Sequence, residues 1–396
     1  YGRVRTVCSL RDVLVEKRDP AAYEARVLAA LHRHRVALVT GGRRVTAELP
    51  GHVREFRLPT LEMDREFKEL RPGAGEDIDT IRDLRREQLK GIFEAEQPDL
   101  LLVELYPFGR KAFRFEIDPL LEDAAAARPQ RCRVACSVRD ILVEKERPQK
   151  HETRAVDLLN RHFEAVLVHA DPKIVRLEET FGRCHEITVP LIYTGFVTPT
   201  PAPGARRRLR AELGLGGEDR LIVASAGAGA VGAPLLEAVI GAFRRLPRRC
   251  EARLQVFTGP CLPAGDFERL RCAVGEGGRV DRFTPDFLSY LAAADLSISM
   301  GGYNTTMNLL AARVPALVWP FGQNREQRLR AQRLQALGAL RLLEDGELEP
   351  VRLAALMESN LRAGARPDSG VDLAGAAATA AWIETGRPRA GGGCVP

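Results

Sequence analysis

The amino-acid sequence predicts an α/β protein made of two Rossmann-like, doubly wound domains. Short β-branched runs alternate with longer helical patterns along the chain, which is typical of parallel sheets with crossover helices. The chain has 396 residues, more than one ordinary core holds, since domains usually contain about 100–200 residues. A proline-rich stretch near the middle separates two halves with the same alternation.

The first half, residues 1–197, is predicted to form the N-terminal domain. Its predicted strands are Val4–Cys8, Val36–Thr40, Val53–Leu58, Leu100–Glu104, Arg133–Cys136 and Ala165–His169. Its predicted helices are Asp77–Glu96 and a segment around Glu152–His162.

The amino-acid composition changes after Val197, where the chain becomes rich in proline. Residues 198–204 read TPTPAPG and cannot continue a helix or a central strand, because proline lacks the amide donor. Proline favours an extended, semi-rigid spacer. We therefore predict a domain linker over residues 198–219.

The second half, residues 220–370, is predicted to form the C-terminal domain. Its predicted strands are Leu221–Ser225, Arg253–Thr258, Val280–Phe283, Leu296–Ser299, Ala316–Trp319 and Leu340–Leu343. Its predicted helices are Ala233–Leu246, Phe267–Val274, Asn304–Ala312 and Arg325–Gly338. Residues 371–396 should form a C-terminal helix and tail that pack back across the first domain.

An internal repeat occupies the N-terminus, where residues 1–35 nearly duplicate residues 133–163. Arg5–His34 aligns without gaps to Arg133–His162, and 15 of the 30 aligned positions are identical. One interpretation is a recent duplication, a recombination or a gene-assembly error; the other is a pair of equivalent loops that face one cleft. If the repeat replaces a missing first βα unit, Val4–Cys8 should be a strand in the same sheet as Arg133–Cys136.

Composition excludes several classes of protein. No run of about 18 apolar residues is present, so no transmembrane helix is expected, and no nucleic-acid-binding module is recognisable. The net charge of +6 is compatible with a plain arginine bias or with affinity for nucleotide phosphates or an acidic membrane face.

The cysteine pattern and the N-terminus together predict the compartment. The eight cysteines form no CxxC pair and no zinc-ligand spacing, so no metal site is predicted. The chain starts at Tyr1 without Met, as a fragment would, and shows no apolar signal region. A reduced, cytoplasmic compartment is therefore expected.

The first candidate binding loop reads SAGAGAVGAP from Ser225 to Pro234 and links a predicted strand to a predicted helix. Gly227 and Gly229 would let backbone N–H groups approach a phosphate, and the N-terminus of the helix adds partial positive charge. A tight turn without a ligand is the alternative interpretation.

The second candidate loop reads SMGGYNTTMN from Ser299 to Asn308, again between a strand and a helix. Gly301 and Gly302 permit close backbone approach, and Asn304 or Thr305 can cap the helix. The spacing of four places Asn304 and Asn308 on one helix face. A capped helix without a ligand is the alternative.

The third candidate loop reads VWPFGQNREQ from Val318 to Gln327. Glu326 and Gln327 would begin a helix near the other two loops, where a carboxylate beside an amide suits the vicinal hydroxyls of a sugar. Ordinary polarity at a helix start is the alternative. Together the three loops should converge on one edge of one sheet, where open α/β sheets bind ligands.

These motifs also carry a resemblance to a known family. Residues 294–331 resemble the C-terminal domain of glycosyltransferase family 28, whose best-known member adds N-acetylglucosamine to the lipid-linked peptidoglycan precursor. A related bacterial branch of predicted glycosyltransferases shows patterns like LYPFGRK at Leu105–Lys111 and CSVRDILVEK at Cys136–Lys145. The likeness covers most of residues 36–385.

The resemblance implies a GT-B-like fold, in which the two domains face a cleft and the C-terminal domain binds a nucleoside-diphosphate sugar, with UDP as the foremost nucleotide. Gly227 and Gly229 would lie by the diphosphate, and Gly301 and Gly302 near the phosphate–sugar region. Asn304 would be a further donor-binding residue. Asn308 would face the ribose, where the family enzyme has a Glu, and Glu326 and Gln327 would bind the sugar hydroxyls.

The chain departs from the family at its N-terminus. The family carries a Gly-rich turn with a His after the first strand, and this turn helps to hold the acceptor. Here the place is taken by Ser9–Asp12, which belongs to the repeat. The acceptor site and the catalytic base are therefore open to alteration or loss.

The implied reaction is metal-independent, cofactor-free, inverting transfer of a hexosyl or N-acetylhexosaminyl group. It needs a base for the acceptor hydroxyl and positive potential for the leaving group. Asp140 is ranked first as the base, with an ion pair to Arg139 or Lys145 as its alternative role. The remaining candidates are Asp12, Glu104 and Glu116.

Arg110, Lys111 and Arg139 are the predicted acceptor-binding residues, and a solvated basic loop is their alternative. The acceptor is unknown; a lipid-linked or cell-envelope glycan precursor at the inner membrane face fits the resemblance, with peripheral membrane contact and no nucleic acid. Two other function classes stay open. One is a nucleotide-sugar hydrolase or epimerase of the same fold, and the other is a non-catalytic nucleotide-sugar-binding protein.

Overall fold

Two separate sheets organise the chain in the computed structural model. The structure describes residues 5–11, 31–41, 49–63, 69–72, 75–127, 132–142, 148–227, 231–247, 250–322, 325–386 and 394–395. Tyr1–Val197 and Asp372–Pro396 form the first unit, and Thr198–Val371 form the second. The second unit is thus inserted into the first.

In the part of the chain that the structure describes, the strands fall into three sheets. In chain order they are β1 Arg5–Arg11, β2 Arg35–Thr40, β3 Val53–Arg57, β4 Leu61–Met63, β5 Leu70–Pro72, β6 Leu100–Glu104, β7 Arg133–Arg139, β8 Ala165–His169, β9 Leu191–Tyr193, β10 Arg220–Ser225, β11 Ala252–Phe257, β12 Gly278–Asp281, β13 Leu296–Met300, β14 Ala316–Trp319, β15 Arg341–Leu342 and β16 Cys394–Val395. β4 and β5 pair only with each other.

The helices connect these strands. In chain order they are α1 Ile78–Glu96, α2 Arg114–Ala126, α3 Pro148–His162, α4 Ala205–Glu212, α5 Ala233–Phe243, α6 Ala264–Ala273, α7 Phe287–Ala293, α8 Tyr303–Ala312, α9 Arg325–Ala336, α10 Pro350–Ala363 and α11 Gly375–Thr385.

Over the described residues, the sheet of the first unit has the order β16-β9-β8-β7-β6-β1-β2-β3. All neighbours are parallel except β16, which is antiparallel to β9. The described strands of the second unit have the order β12-β11-β10-β13-β14-β15 and are all parallel. Both orders reverse direction once, at β1 and at β10, which confirms two doubly wound Rossmann-like sheets.

The N-terminal repeat forms a strand in the first sheet, as predicted. β1 pairs with β2 on one side and with β6 on the other, and β7 lies on the far side of β6. Val4–Cys8 and Arg133–Cys136 therefore mark strands of one sheet, although Val4 itself precedes the described residues. Asp12 lies outside them as well.

The predicted linker contains a packed helix and belongs to the second unit. Gly204 adopts φ +73° and precedes α4, whose Ala205 and Leu209 are buried. Arg206 and Arg210 bind the Asp295 carboxylate from successive turns, at 2.7 and 3.0 Å. The prolines therefore determine only the conformation of the segment that precedes α4. The buried face of α4 and its ion pairs with Asp295 hold the rest of residues 198–219 against the second unit.

The C-terminal segment completes the first unit. Asp372 donates its backbone N–H to the buried carboxylate of Asp171 at 2.9 Å, and Val197 and Ala374 form an antiparallel bridge. In α11, Trp382 is buried beneath the Arg133 guanidinium, 5.0 Å from its ring centre. The segment therefore contributes core side chains to the first unit.

Candidate functional site

The strand order of the second unit reverses between β10 and β13. The loops that follow these two strands contain Gly227 and Gly301. In open parallel sheets, a crevice at the carboxyl ends of the strands opens where the order reverses. The glycine loops predicted from the sequence therefore flank the place where this fold binds ligands.

The loop after β10 leaves open space around its first glycine. Gly227 has φ +61°, and a Cβ atom added there would meet no atom within 4 Å. At Gly232, which precedes α5, an added Cβ would come within 2.1 Å of the Ala226 Cβ atom. The N-terminus of α5 therefore begins directly against the end of β10. Gly229 lies outside the described residues.

The loop after β13 is closely packed at Gly301 and open at Gly302. A Cβ added at Gly301 would lie 3.3 Å from Val318 Cγ1 and 3.4 Å from Gln327 Cβ. A Cβ added at Gly302 would meet no atom within 4 Å. The second and third predicted motifs therefore lie close together at Gly301, and the open side lies at Gly302.

The predicted cap of the following helix is wrong. α8 begins at Tyr303, and its N-cap residue is Gly302, with φ −61° and ψ 146°. Asn304 and Thr305 consequently lie inside the first turn, because the helix starts earlier than the sequence pattern indicated. No side chain caps this N-terminus from the Gly302 position.

The side chain of Asn308, on α8, carries a buried hydrogen-bond acceptor. The Oδ1 atom of Asn308 is enclosed and has no hydrogen-bond partner among the described residues. Leaving a buried acceptor unpaired costs about 1–3 kcal/mol. A ligand hydroxyl that donated to this oxygen would relieve the cost, as the predicted contact with a ribose requires.

Gln327 fixes the third loop. Its Oε1 atom accepts a hydrogen bond from the backbone N–H of Phe321 at 3.1 Å, and its side chain lies beside Gly301. The carbonyl end of this amide is therefore used within the protein. Glu326 precedes it at the start of α9 and is half-buried.

Sequence analysis did not select Phe283 and Arg330, two residues of the second unit, as candidate site residues. Phe283 follows β12 and is 64% exposed, the largest exposure among the bulky apolar side chains described as exposed. Arg330 on α9 is only 2% exposed, and its guanidinium carbon lies 5.2 Å from the centre of the Tyr303 ring. An aromatic at a strand end could have indicated Phe283, but no local pattern indicates a buried arginine.

In the first unit, two of the three predicted acceptor-binding residues share a carboxylate. The Arg110 Nη2 atom lies 2.6 Å from Glu104 Oε2, and the Arg139 Nη2 atom lies 3.8 Å from Glu104 Oε1. Glu104 ends β6 and Arg139 ends β7, so the cluster lies at the carboxyl edge of this sheet. Lys111 follows Arg110 and is exposed.

The loop that carries Arg110 is held in an unusual conformation. Leu105 and Arg110 have φ values of 64° and 55°, and left-handed non-glycine residues cost on the order of 1–3 kcal/mol each. Tyr106 is buried and donates its hydroxyl to Asp118. Phe108 packs edge-on against Phe181, with ring centres 5.0 Å apart. These anchors hold the loop and fix the position of Arg110.

The candidate bases have different surroundings. Asp140 is 1% exposed, and its Oδ1 atom accepts a hydrogen bond from the backbone N–H of Ile141 at 2.9 Å. Glu116 is fully enclosed in an ion pair with Arg85 at 2.7 Å, so it serves the fold. Glu104 is the counter-ion described above, whereas Lys145 lies outside the described residues.

A buried histidine crosses the carboxyl ends of the same strands. His169 hydrogen-bonds through Nε2 to the Ser137 hydroxyl at 2.7 Å and through Nδ1 to the Thr194 hydroxyl at 2.9 Å. Burial lowers the pKa of His169 to about 3. The imidazole is therefore neutral near pH 7 and links β7 to the end of β9.

The described part of the chain contains no group of three or more His, Cys, Asp or Glu side chains placed to hold a metal ion. Among the helices that the structure describes, none combines the length and the apolar character needed to span a bilayer.

The sequence of the second unit matches a known family. Residues 223–369 fit the description "Glycosyltransferase family 28 C-terminal domain". The second unit is thus similar to the C-terminal domain of glycosyltransferase family 28. This match includes the Gly227, Gly301 and Gln327 loops, so the candidate site lies within the matched residues.

Two curated relatives share part of the chain. The UDP-N-acetylglucosamine--N-acetylmuramyl-(pentapeptide) pyrophosphoryl-undecaprenol N-acetylglucosamine transferase of Nitratidesulfovibrio vulgaris is 34% identical over 129 residues, which are 31% of this chain and 34% of that protein. The protein of the same name from Solibacter usitatus is 35% identical over 89 residues, 21% of this chain and 25% of that protein. The chain therefore spans about a third or less of the length of these relatives.

Solved structures match over nearly the whole chain. The calicheamicin glycosyltransferase CalG4 superposes with a TM-score of 0.58 and 15% identity, covering 97% of both chains. A putative UDP-N-acetylglucosamine 2-epimerase from Listeria monocytogenes also gives 0.58 and 15%, covering 97% of this chain and 95% of that one. The likeness establishes the GT-B fold, with two Rossmann-like domains.

Proposed function

We propose that this protein is a glycosyltransferase that takes a hexosyl group from a nucleoside-diphosphate sugar bound to its family 28 domain. The observation that carries the proposal is the Gly301–Gly302 turn. This turn precedes α8, lies beside Gln327 and leaves space at Gly302, at the edge where the strand order reverses.

The proposed donor lies across the carboxyl ends of β10, β13 and β14. Its diphosphate is placed by Gly227 and Gly229 at the N-terminus of α5, where backbone N–H groups and the helix field favour anions. Asn308 accepts a hydrogen bond from the ribose, and Asn304 lies beside the phosphate–sugar region. Phe283 offers a flat apolar face to a nucleobase, for which UDP is the first candidate.

The donor sugar is proposed to lie at the start of α9. The Gln327 Oε1 atom already accepts from Phe321, so its Nε2 atom is the group assigned to a sugar hydroxyl. The Glu326 carboxylate is assigned as an acceptor from a second hydroxyl. An N-acetyl group on the hexose is compatible with the substrates named for the two relatives.

The proposed reaction inverts the anomeric centre. The acceptor oxygen attacks the anomeric carbon as the bond from that carbon to the phosphate oxygen breaks, and the nucleoside diphosphate leaves with the bonding electrons. Asp140 is the proposed base that takes the acceptor proton. Helix N-termini offset the charge on the leaving group, so we propose that no metal ion is needed.

The acceptor is proposed to carry phosphate. Arg110 and Arg139 place two guanidinium groups beside the Glu104 carboxylate, and Lys111 adds an exposed cation next to Arg110. Arginine pairs suit phosphate because their planar forks match its oxygens. A lipid-linked glycan precursor at a membrane face, as in the names of the two relatives, is the proposed class.

The decisive test replaces Gly302 with alanine. Its φ and ψ are allowed for alanine, and the added Cβ meets no protein atom, so the fold tolerates the change. A methyl group where the donor must approach should weaken UDP-N-acetylglucosamine binding by tenfold or more in isothermal titration, on the order of 1.4 kcal/mol. UDP binding is measured in parallel.

Gly217→Ala is the matched control, since an added Cβ there also meets no atom within 4 Å and Gly217 lies before β10, at the opposite edge. It should bind the donor like the wild-type protein. Equal affinities of the wild-type and Gly302→Ala proteins for every nucleotide sugar tested would remove the site, and the proposed function with it.

A hydrolase or epimerase is the second candidate. The Listeria monocytogenes structure, a putative UDP-N-acetylglucosamine 2-epimerase, shares the fold. The missing Gly-rich turn with His favours a third class, a non-catalytic nucleotide-sugar-binding protein. Mass spectrometry after incubation with UDP-N-acetylglucosamine alone separates the classes. Free sugar or an epimer indicates the second class. Product that forms only with a phosphorylated glycan acceptor indicates transfer, and binding without turnover indicates a non-catalytic protein.

A further inference from the structure

The loop after β12 carries the exposed ring of Phe283 and is bound on both sides of it. Before the ring, the Arg282 Nη1 atom donates to the carbonyl oxygen of Leu262 at 2.8 Å. After it, Thr284 Oγ1 accepts a hydrogen bond from the backbone N–H of Asp286 at 3.2 Å. The backbone at Phe283 is therefore held from both sides, while its side chain stays exposed.

The side chain of Arg282 joins this loop to the core of the second unit. Its guanidinium carbon lies 4.3 Å from the centre of the Phe267 ring, within the range of a cation–π contact. Phe267 lies on α6 and packs against the hydrophobic core, and Leu262 is itself a buried member of that core. Both partners of the guanidinium are thus fixed, and they fix Arg282 in turn.

The backbone of the same loop is paired as well, because it extends the sheet beyond β12. The N–H group of Thr258 donates to the carbonyl oxygen of Asp281 at 3.0 Å. The N–H group of Gly259 donates to that of Arg282 at 2.9 Å. Arg282 is therefore bound through its backbone and through its side chain, directly before the exposed Phe283.

The position of β12 places this loop on one side of the proposed diphosphate site. Only β11 lies between β12 and β10 in the described sheet, so the loop starts about 10 Å from the end of β10 at the usual strand spacing. The start of α9, where the donor sugar is proposed to lie, follows β14 on the other side of β10. A nucleoside attached to the diphosphate can therefore extend toward Phe283.

We propose that Arg282 is a positioning residue that holds Phe283 ready to stack on the nucleobase of the donor. It acts through Phe283 and does not touch the ligand. A ring that is ordered before binding loses less freedom on binding, which raises affinity. The inference rests on the proposed function, because it takes the donor site as given.

The test is a double-mutant cycle in which isothermal titration measures the affinity for UDP. Phe283→Ala should weaken binding about tenfold, through lost stacking. Arg282→Met keeps an apolar chain beside Phe267 but loses the hydrogen bond and the cation, and should weaken binding about fivefold. In the double variant, Arg282→Met should add less than about twofold to the loss from Phe283→Ala, because the ring it positions is absent.

Arg271→Met is the matched control. Arg271 lies on α6, the helix of Phe267, and forms an exposed pair with Glu268 at 2.7 Å, so its loss should leave the affinity for UDP unchanged. If circular dichroism shows that Arg282→Met is not folded, Phe267→Leu takes its place in the cycle. Leucine removes the ring beneath the guanidinium and keeps apolar contact with the core.

The outcomes separate the inference from the proposed function. Losses that multiply in the double variant show that Arg282 does not act through Phe283 and overturn the inference, as does an unchanged affinity in either single variant. In these cases the wild-type protein still binds UDP and the donor site stands. Absence of UDP binding by the wild-type protein overturns the donor site and the inference together.

Discussion

Gly41 and Gly302 lie in different units, and each follows a parallel strand at the carboxyl edge of its sheet. A Cβ atom added at Gly41 would come within 2.3 Å of the Arg85 guanidinium. One added at Gly302 would meet nothing within 4 Å. The same residue type therefore makes room for the protein's own cation in one unit and leaves an opening in the other.

Other residues at the carboxyl edges of the two sheets show the same difference between internal contacts and open space. In the first unit, Arg85 donates to the carbonyl oxygens of Gly41 and Pro59 as well as to Glu116, and His169 spans neighbouring strands. In the second unit, the candidate loops present glycines, side-chain amides and the half-buried Glu326 carboxylate. The first edge is consolidated by internal charge, whereas the second is open to a ligand. Stability should therefore depend on charge in the first unit.

The largest expected effect is that of Arg85→Met. This change leaves the Glu116 carboxylate buried without its partner, which typically costs about 3–5 kcal/mol. Chemical denaturation with hydrogen exchange should show this loss in the first unit only. Arg86→Met is the control on the same helix, because Arg86 forms an exposed pair with Asp83 worth less than about 1 kcal/mol. Equal losses in the two variants would contradict the comparison.

The next effect is a dependence on pH. The pKa of His169 falls from 6.5 to about 3 on folding, so its contribution is complete above pH 6.5 and is lost as pH falls toward 3. At pH 5 the unfolded state binds the extra proton, which should destabilise the first unit by about 2 kcal/mol relative to pH 7.

His169→Gln should flatten this dependence, and unfolding curves at pH 7 and pH 5 measure it. The matched control is His185→Gln, because His185 is exposed and its replacement should keep the wild-type slope. A wild-type slope in His169→Gln would show that other groups dominate the pH dependence of the first unit.

The smallest expected effect is on the stability of the second unit. Gly302→Ala should change its free energy of unfolding by less than about 0.5 kcal/mol, in the range of ordinary surface substitutions. Gly232 also precedes a helix, but an added Cβ would come within 2.1 Å of Ala226, and overpacking costs about 1–3 kcal/mol. Similar losses in Gly302→Ala and Gly232→Ala would show that the Gly302 opening is not a tolerant surface.

Much of the fold could be predicted from the sequence. The bounds of Leu100–Glu104, Ala165–His169 and Ala316–Trp319 agree with the structure to the residue, because buried parallel strands are continuous apolar runs. The helix Arg114–Ala126 was not predicted, since Pro119 lies inside it and proline normally interrupts helices. Tertiary packing outweighs that local signal.

The candidate site was predictable in part. Glycine loops after strands carry a local pattern, so Gly227, Gly301 and Gly302 could be found before their geometry was known. The Arg330–Tyr303 contact and the bond from Phe321 to Gln327 join different elements. No spacing in the sequence indicates them, because they depend on how α9 packs against the turn that opens α8.

The insertion of the second unit into the first has a consequence for biosynthesis. Trp382 and the bridge partner Ala374 belong to the first unit but come late in the chain. A ribosome therefore releases all of Thr198–Val371 before the segment that closes the core of the first unit. Because domains fold as units during synthesis, the first unit, whose two segments flank Thr198–Val371, must finish folding after the second.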